Sequence, residues 1–409
     1  MSAAERSSRP LAALLVGHVL SRTGNVVTLF AVPFLVLSAG GGPVEVGTAA
    51  AAATAPVLLG GPLGGALVDR VGLVRSSVLS DAVSGTSLAL IPLLTALDAL
   101  PFPVLLTIVF VSGLLDVPGE TARRVLLPRL SQTAGIPLER SVGFLDATTR
   151  LSTMLGAPLA GVMVSTLGAD AALLATAVSF AASAILTAAL VRAPSTTPEG
   201  PEESSTGYWS DLREGLRFIR RDPLLRCIIA LVLVTNTLDA ARSSTLLPLY
   251  AERHLEGASS LGLVSGVFGA AALTGTLAFG LVAHRLPRRI PFAACFLVAA
   301  TYGAAPALGL GVVGLAASAA VCGLAAGALN PILGAVFLDR IPTALQARVL
   351  GLVSAGTWAG MPLGGVLGGL AADTLGLRLT FAVTAVVYVV AAGTPLLGGA
   401  WRRMERSAS

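Results

Sequence analysis

Among the ionisable residues that stand inside apolar runs of this chain, eight sort by their spacing into pairs. His18 and Arg22, Asp116 and Glu120, and Asp146 and Arg150 are each four apart; Asp239 and Arg242 are three apart. Residues at those spacings share one face of a helix. A charge at the centre of a bilayer costs at least about 2.5–3.5 kcal/mol on insertion scales, so such groups face a protein interior or a water-filled path. The spacings of Asp146–Arg150 and Asp239–Arg242 also permit intrahelical ion pairs, which neutralise both partners; Asp146–Arg150, near the end of its run, is expected to form one. A carboxylate in a partly apolar cavity can exchange a proton near neutral pH. Asp116, Glu120 and Asp239 are therefore the candidates for moving a proton, with Glu120 the weakest because Arg123 and Arg124 lie one turn away.

These residues need apolar helices to hold them, and the composition supplies little else. Of 409 residues, 54% are hydrophobic and 12% charged, and the mean hydropathy is +0.83. Soluble domains carry about 25% charged residues, so lipid must solvate most of this surface. A membrane helix needs about 20 mainly apolar residues. Twelve such spans are expected, near 10–38, 46–68, 75–98, 102–127, 141–166, 170–192, 224–250, 259–284, 290–311, 313–338, 349–371 and 378–399. The first run is too long for the apolar core of a signal peptide and reads as a retained helix.

An even number of spans places both termini on one side. Arginine chooses the side, because cytoplasmic segments are enriched in basic residues. With the termini inside, the arginines gather in cytoplasmic segments and at inner span ends. Only Arg253 and Arg378 fall outside, while Arg22, Arg150 and Arg242 lie within spans. All 27 basic residues other than histidine are arginine, which points to a GC-rich bacterial genome and a bacterial cytoplasmic membrane. The scattered short clusters argue against a nucleic-acid-binding face.

Residues 193–223 break the apolar rhythm. Pro- and Ser-rich at first, they continue with Trp209, Leu212, Leu216 and Ile219 on one helical face and arginines on the other, the pattern of a helix lying in the membrane interface. The domain expectation is thus a six-helix bundle over 1–192, a cytoplasmic linker over 193–223 and a second six-helix bundle over 224–409. Cys227, Cys295 and Cys322 lie in apolar segments without CxxC spacing, so packing, not a metal site, is expected. His18, His254 and His284 are scattered, and no Walker, HExxH or Cys/His pattern suggests an enzyme or a cofactor.

The halves repeat one another. The second span ends Gly65-Ala66-Leu67-Val68-Asp69-Arg70-Val71-Gly72, with Arg75 following, and the eighth ends Gly280-Leu281-Val282-Ala283-His284-Arg285. The fifth span carries Arg140 to Gly143 and then Gly156, Pro158 and Gly161; the eleventh carries Arg348 to Gly351 and then Gly360, Pro362 and Gly364. Internal repeats mark secondary transporters. Small residues let helices approach, and Gly72 permits a tight turn.

Gly65, Leu67, Asp69, Arg70 and Gly72 match, in register, a signature of the form G-x-L-x-D-R-x-G-R-R, after which Leu73 and Val74 replace basic residues and Arg75 arrives late. In this the chain resembles the major facilitator superfamily, from the first span through the twelfth. Ser21-Arg22-Thr23-Gly24-Asn25, Pro128-Arg129-Leu130 and Glu214-Gly215-Leu216-Arg217-Phe218 resemble its enterobactin and macrolide exporter branch, with Asn25 where an acid commonly stands.

The resemblance implies an all-α membrane protein of twelve transmembrane helices in two pseudo-symmetric six-helix bundles, acting as a monomer. It implies that the Gly65–Arg75 loop is a cytoplasmic latch, and that the Gly156/Pro158/Gly161 run is an exporter-associated packing motif. It also implies that spans one, four, seven and ten line a cavity, which makes Arg22, Asn25, Asp116, Glu120, Asp239, Arg242 and Asn330 its candidates for substrate and proton. Asn236 and Trp358 are softer candidates. The remaining lining, mostly Ala, Val, Leu and Gly, suits an amphipathic small molecule better than a sugar. The expected function is proton-driven export of such molecules; an importer of the same fold and a membrane receptor or enzyme are the alternatives.

Overall fold

The computed structural model describes residues 8–58, 68, 70–191, 208–283 and 286–405. Among these residues there is no β-strand. Gly65, Leu67, Asp69, His284 and Arg285 lie outside the described residues, as does most of the Pro- and Ser-rich stretch.

The helices of the first half are α1 (Arg9–Ser38), α2 (Pro43–Thr54), α3 (Leu73–Ala96), α4 (Phe102–Ala134), α5 (Leu138–Leu167) and α6 (Ala169–Leu190). A short helix, α7 (Tyr208–Arg221), precedes the second half. There follow α8 (Pro223–His254), α9 (Ala258–Val282), α10 (Arg289–Ala307), α11 (Val312–Arg340), α12 (Gln346–Trp358), α13 (Met361–Leu375) and α14 (Leu377–Gly393).

Ten membrane spans meet the length and apolarity a bilayer demands, counting α12 and α13 as one, among the described residues. The other two expected spans differ for separate reasons. Only the first part of the second is described. α5 is long enough at 30 residues, but its first half carries Glu139, Arg140, Asp146 and Arg150. Asp146 and Arg150 are both exposed, and no ion pair joins them among the described residues, contrary to the sequence expectation. An exposed pair gains little from Coulomb attraction and loses side-chain freedom when fixed.

Two breaks were not foreseen. The eleventh span is interrupted at Ala359 and Gly360, and Pro362 opens α13, where its missing N–H is no loss. α8 contains one π-helical turn at Arg242–Leu246. By contrast α11 runs straight through Asn330-Pro331 without ending.

The chain divides into two compact units, Met1–Thr196 with Glu256–Leu263, and Thr197–Leu255 with Val264–Ser409. Inside the first, α1 packs on α5 and α6, and α3 on α4 and α6. Inside the second, α8 packs on α13 and α14, and α10 on α11 and α14. The same neighbours recur at corresponding places, so the sequence repeat is a repeat of packing.

The paired small-residue motifs sit at these seams. A Cβ on Gly156 would lie 2.7 Å from Val26 of α1. Gly161 meets the backbone of Ala258 and Gly262 at the start of α9, with the same 2.7 Å to each. In the second unit, Gly360 and Gly364 press on Thr237 of α8. Pro158 lies inside α5, whereas Pro362 starts a new helix. Gly72, the residue before α3, has φ +90°, a conformation closed to most side chains, as its turn role required. Arg70 and Arg75 are exposed on either side of it.

The arginine-rich helix α7 does not lie free. Its Ile219 is buried among Leu225, Ile341, Val349 and Val353, and Gly215 abuts Leu352 of α12. The free cysteines behave as packing residues, Cys322 fully and the others partly buried.

Candidate functional site

Four helices bring polar groups together in the middle of the first unit. Gly119 of α4 leaves room for α3, since a Cβ there would sit 2.8 Å from Ser80. One turn further along α4, Arg123 reaches Asp81 of α3. Its Nη1 donates to Oδ2 at 3.1 Å and its Nη2 to Oδ1 at 3.3 Å. Asp81 is 0% and Arg123 1% exposed. Ser183 of α6 donates to Asp81 Oδ2 at 2.6 Å, and Arg123 Nη2 donates to Ser21 Oγ of α1 at 3.1 Å. The two charges are paired, and Ser183 and Ser21 add one hydrogen bond to each partner, which is what lets a charge persist in a low-dielectric interior, although Arg123 Nε has no partner among the described residues.

Asp116 lies beside this pair. Its Oδ2 accepts from Asn25 Nδ2 of α1 at 2.6 Å, and its Oδ1 from Ser21 Oγ at 3.4 Å. Arg123 is 3.9 Å away, already engaged by Asp81. Glu120 is held differently, by Arg22 at 3.4 Å and Arg124 at 3.0 Å. His18, buried on α1, is hydrogen-bonded through Nε2 to Thr149 of α5 at 2.9 Å.

Thus Arg22, Asn25, Asp116 and Glu120 converge, as the sequence candidates would have to. Arg123 pairs with Asp81 rather than with Glu120, a difference of direction: α3 lies on its side of α4. Asp81, Ser21 and Ser183 were missed. Their signal was an aspartate well inside the expected third span and a serine, Ser183, that sits against Gly17 of α1.

The second unit is simpler. Asp239 and Arg242, both on α8, pair at 2.7 Å where the π turn begins. The Arg242 guanidinium lies over the ring of Tyr302, 4.6 Å from its centre. Tyr388 OH is 3.5 Å from Asp239 Oδ2. Both tyrosines escaped the sequence reading because they are distant in the chain. A π turn widens the helix and often marks a functional position. Asn236 donates to the Thr357 carbonyl at 3.0 Å, joining α8 to α12. Asn330 and Trp358 are exposed and make no such bond among the described residues.

Comparison with known proteins agrees with this architecture. A family model described as Major Facilitator Superfamily matches residues 14–311 and 243–408. The chain is 30% identical to the multidrug efflux pump Tap of Mycolicibacterium fortuitum, over 91% of each. It is 29% identical to the pump of the same name in Mycobacterium tuberculosis strain H37Rv, over 93% of this chain and 91% of that one. Among solved structures, nucleoside transporter NupG superposes with a TM-score of 0.74 at 13% identity, covering 95% of this chain and 98% of NupG. A bacterial homologue of the human lysosomal transporter Spinster gives 0.74 at 13%, covering 98% and 99%. At such identities the structures speak for the fold alone, an all-α membrane fold of twelve helices in two six-helix repeats. The chain is a multi-pass membrane protein of the Major Facilitator Superfamily.

Proposed function

We propose that this chain exports amphipathic small molecules, drugs among them, in exchange for protons by alternating access. Two six-helix bundles, 1–192 and 224–409, joined by 193–223, would act as a monomer in a bacterial cytoplasmic membrane with both termini inside. It would need no cofactor and perform no covalent chemistry. Export is supported by the relatives named as multidrug efflux pumps, which match it along nearly their whole length.

Proton coupling rests on Asp116. Glu120 has two arginines and Asp81 has one held by both nitrogens, but Asp116 has only neutral donors and a shared arginine at 3.9 Å. Of these three buried or half-buried carboxylates it is the one with the fewest charged partners, which leaves it the most open to exchange a proton. Asp116 would carry the coupling proton, with Asn25 and Arg22 placing it and Glu120. Asp239, Arg242 and Asn330 would face the substrate. The Gly65–Arg75 loop would serve as the latch, and the Gly156/Pro158/Gly161 and Gly360/Pro362/Gly364 runs as sliding seams.

The test is drug and dye accumulation in a pump-deleted bacterial host. Expression of the chain should lower accumulation, an uncoupler should abolish the difference, and Asp116→Asn should abolish it with normal protein levels. Raised accumulation instead would make the chain an importer. Full export by the Asp116→Asn variant would remove Asp116 from the proton path.

A further inference from the structure

α7 carries a second surface besides the one it packs against α12. Arg213, Arg217, Arg220 and Arg221 are spaced four, three and one residues apart, which puts them within an arc of about 100° on a helix of 3.6 residues per turn. All four are exposed, and none has an acidic partner among the described residues. The one acid at the edge of this arc, Glu214, is already paired with Arg348 at 3.0 Å. Leu216, exposed beside the arginines, gives the arc an apolar margin. The opposite face is fixed: Ile219 and Gly215 are buried against α12. Asp222 caps α8 through the Leu224 N–H at 2.8 Å and pairs with Arg340 of α11 at 2.8 Å. A short helix held on one side by its own protein thus offers four unmatched positive charges and a leucine on the other.

We infer that this face docks on anionic phospholipid headgroups at the membrane surface, so that an acidic bilayer holds α7 in place against α12. The complementarity is of charge and polarity together, guanidinium groups for phosphates and a leucine for the acyl margin. The inference depends on the chain spanning a membrane and not on what it transports. Each arginine near an anionic surface contributes about fivefold in affinity at low salt.

Hydrogen–deuterium exchange of the full chain in lipid nanodiscs tests it. In discs of phosphatidylcholine with a third phosphatidylglycerol, residues 208–221 should exchange at least fivefold more slowly than in phosphatidylcholine alone. The difference should shrink in high salt, where the Debye length falls to about 3 Å at 1 M. Arg217→Gln/Arg220→Gln/Arg221→Gln should lose the difference while α10 and α11 exchange as before. Phosphatidylserine at equal charge should replace phosphatidylglycerol. Equal exchange of the unaltered chain in both lipid mixtures would overturn the inference, and so would lipid-dependent protection that survives the triple substitution. A second variant, Glu214→Gln, loosens the protein side; its α7 should depend on anionic lipid more strongly than the parent's.

Discussion

The two units share a packing plan and differ in how they hold charge. In the first, Asp81, Arg123, Ser21 and Ser183 come from four helices and are fully buried. In the second, Asp239 and Arg242 belong to one helix, and the Asp239 side chain is 37% exposed. The seams obey the same logic in both: α5 approaches α1 at Gly156, and α13 approaches α8 at Gly364. A repeat therefore preserves what close approach demands and leaves charge free to diverge. A network that ties four helices also contributes to their assembly. A pair on one helix, met from α10 and α14 by the rings of Tyr302 and Tyr388, contributes less to assembly.

The largest effect should separate these two cases. Asp81→Asn removes the close counter-ion of the buried Arg123 charge and leaves only Asp116, 3.9 Å away; breaking a buried pair costs about 3–5 kcal/mol. We expect a chain that fails to accumulate, or that unfolds well below the parent in detergent. Asp239→Asn removes the partner of an Arg242 that is also held over the Tyr302 ring, in a pair whose carboxylate is already partly exposed; it should cost less than the Asp81 change, leaving folding intact while export suffers. Thermal unfolding followed by size-exclusion fluorescence measures both. Equal destabilisation would dissolve the distinction between the units.

Next in size come the seams. A side chain at Gly364 would drive into the Thr237 backbone, and one at Gly161 into Gly262. Overpacking of this kind costs about 1–3 kcal/mol, so Gly364→Val and Gly161→Val should each lower thermal stability. Gly143 and Gly351, the glycines that follow the paired arginines of the repeat, face open space. Alanine there should leave stability unchanged. A loss at Gly143 or Gly351 to match that at Gly364 would mean that the repeat is conserving something other than approach.

Much of this could be read before any coordinates. Apolar length gave the spans and paired glycines the seams, because each depends on composition over a local stretch. The charge network was only half legible. Depth in an apolar run exposed Arg22, Asp116, Glu120 and Asp239, but partner choice depends on which helix stands beside which. Asp81 and Arg123 are 42 residues apart, and Asp239 and Tyr388 are 149 apart. Asp146–Arg150 failed for the opposite reason: the spacing permits a pair, yet neither residue is buried enough to require one. The π turn at Arg242 and the break at Gly360 have no period to betray them.

The smallest effect is the most specific. Asn25 and Asp116 face each other across α1 and α4 at 2.6 Å. Asn25→Asp would set two carboxylates in contact, and like charges at that distance cannot both ionise readily. They would share one proton between them, so the chain should keep its fold while export changes its dependence on pH. Adding Asp116→Asn restores a single carboxylate at the same junction, now on α1, and should return the profile towards the parent's. If the double variant folds but stays inactive, the carboxylate must stand on α4 near Arg123, not merely at the junction. The matching exchange in the second unit, Asp239→Arg with Arg242→Asp, reverses a pair along a single helix. It should preserve stability but turn the charges that face Tyr302 and Tyr388, and so alter which molecules are exported before it alters how export depends on pH.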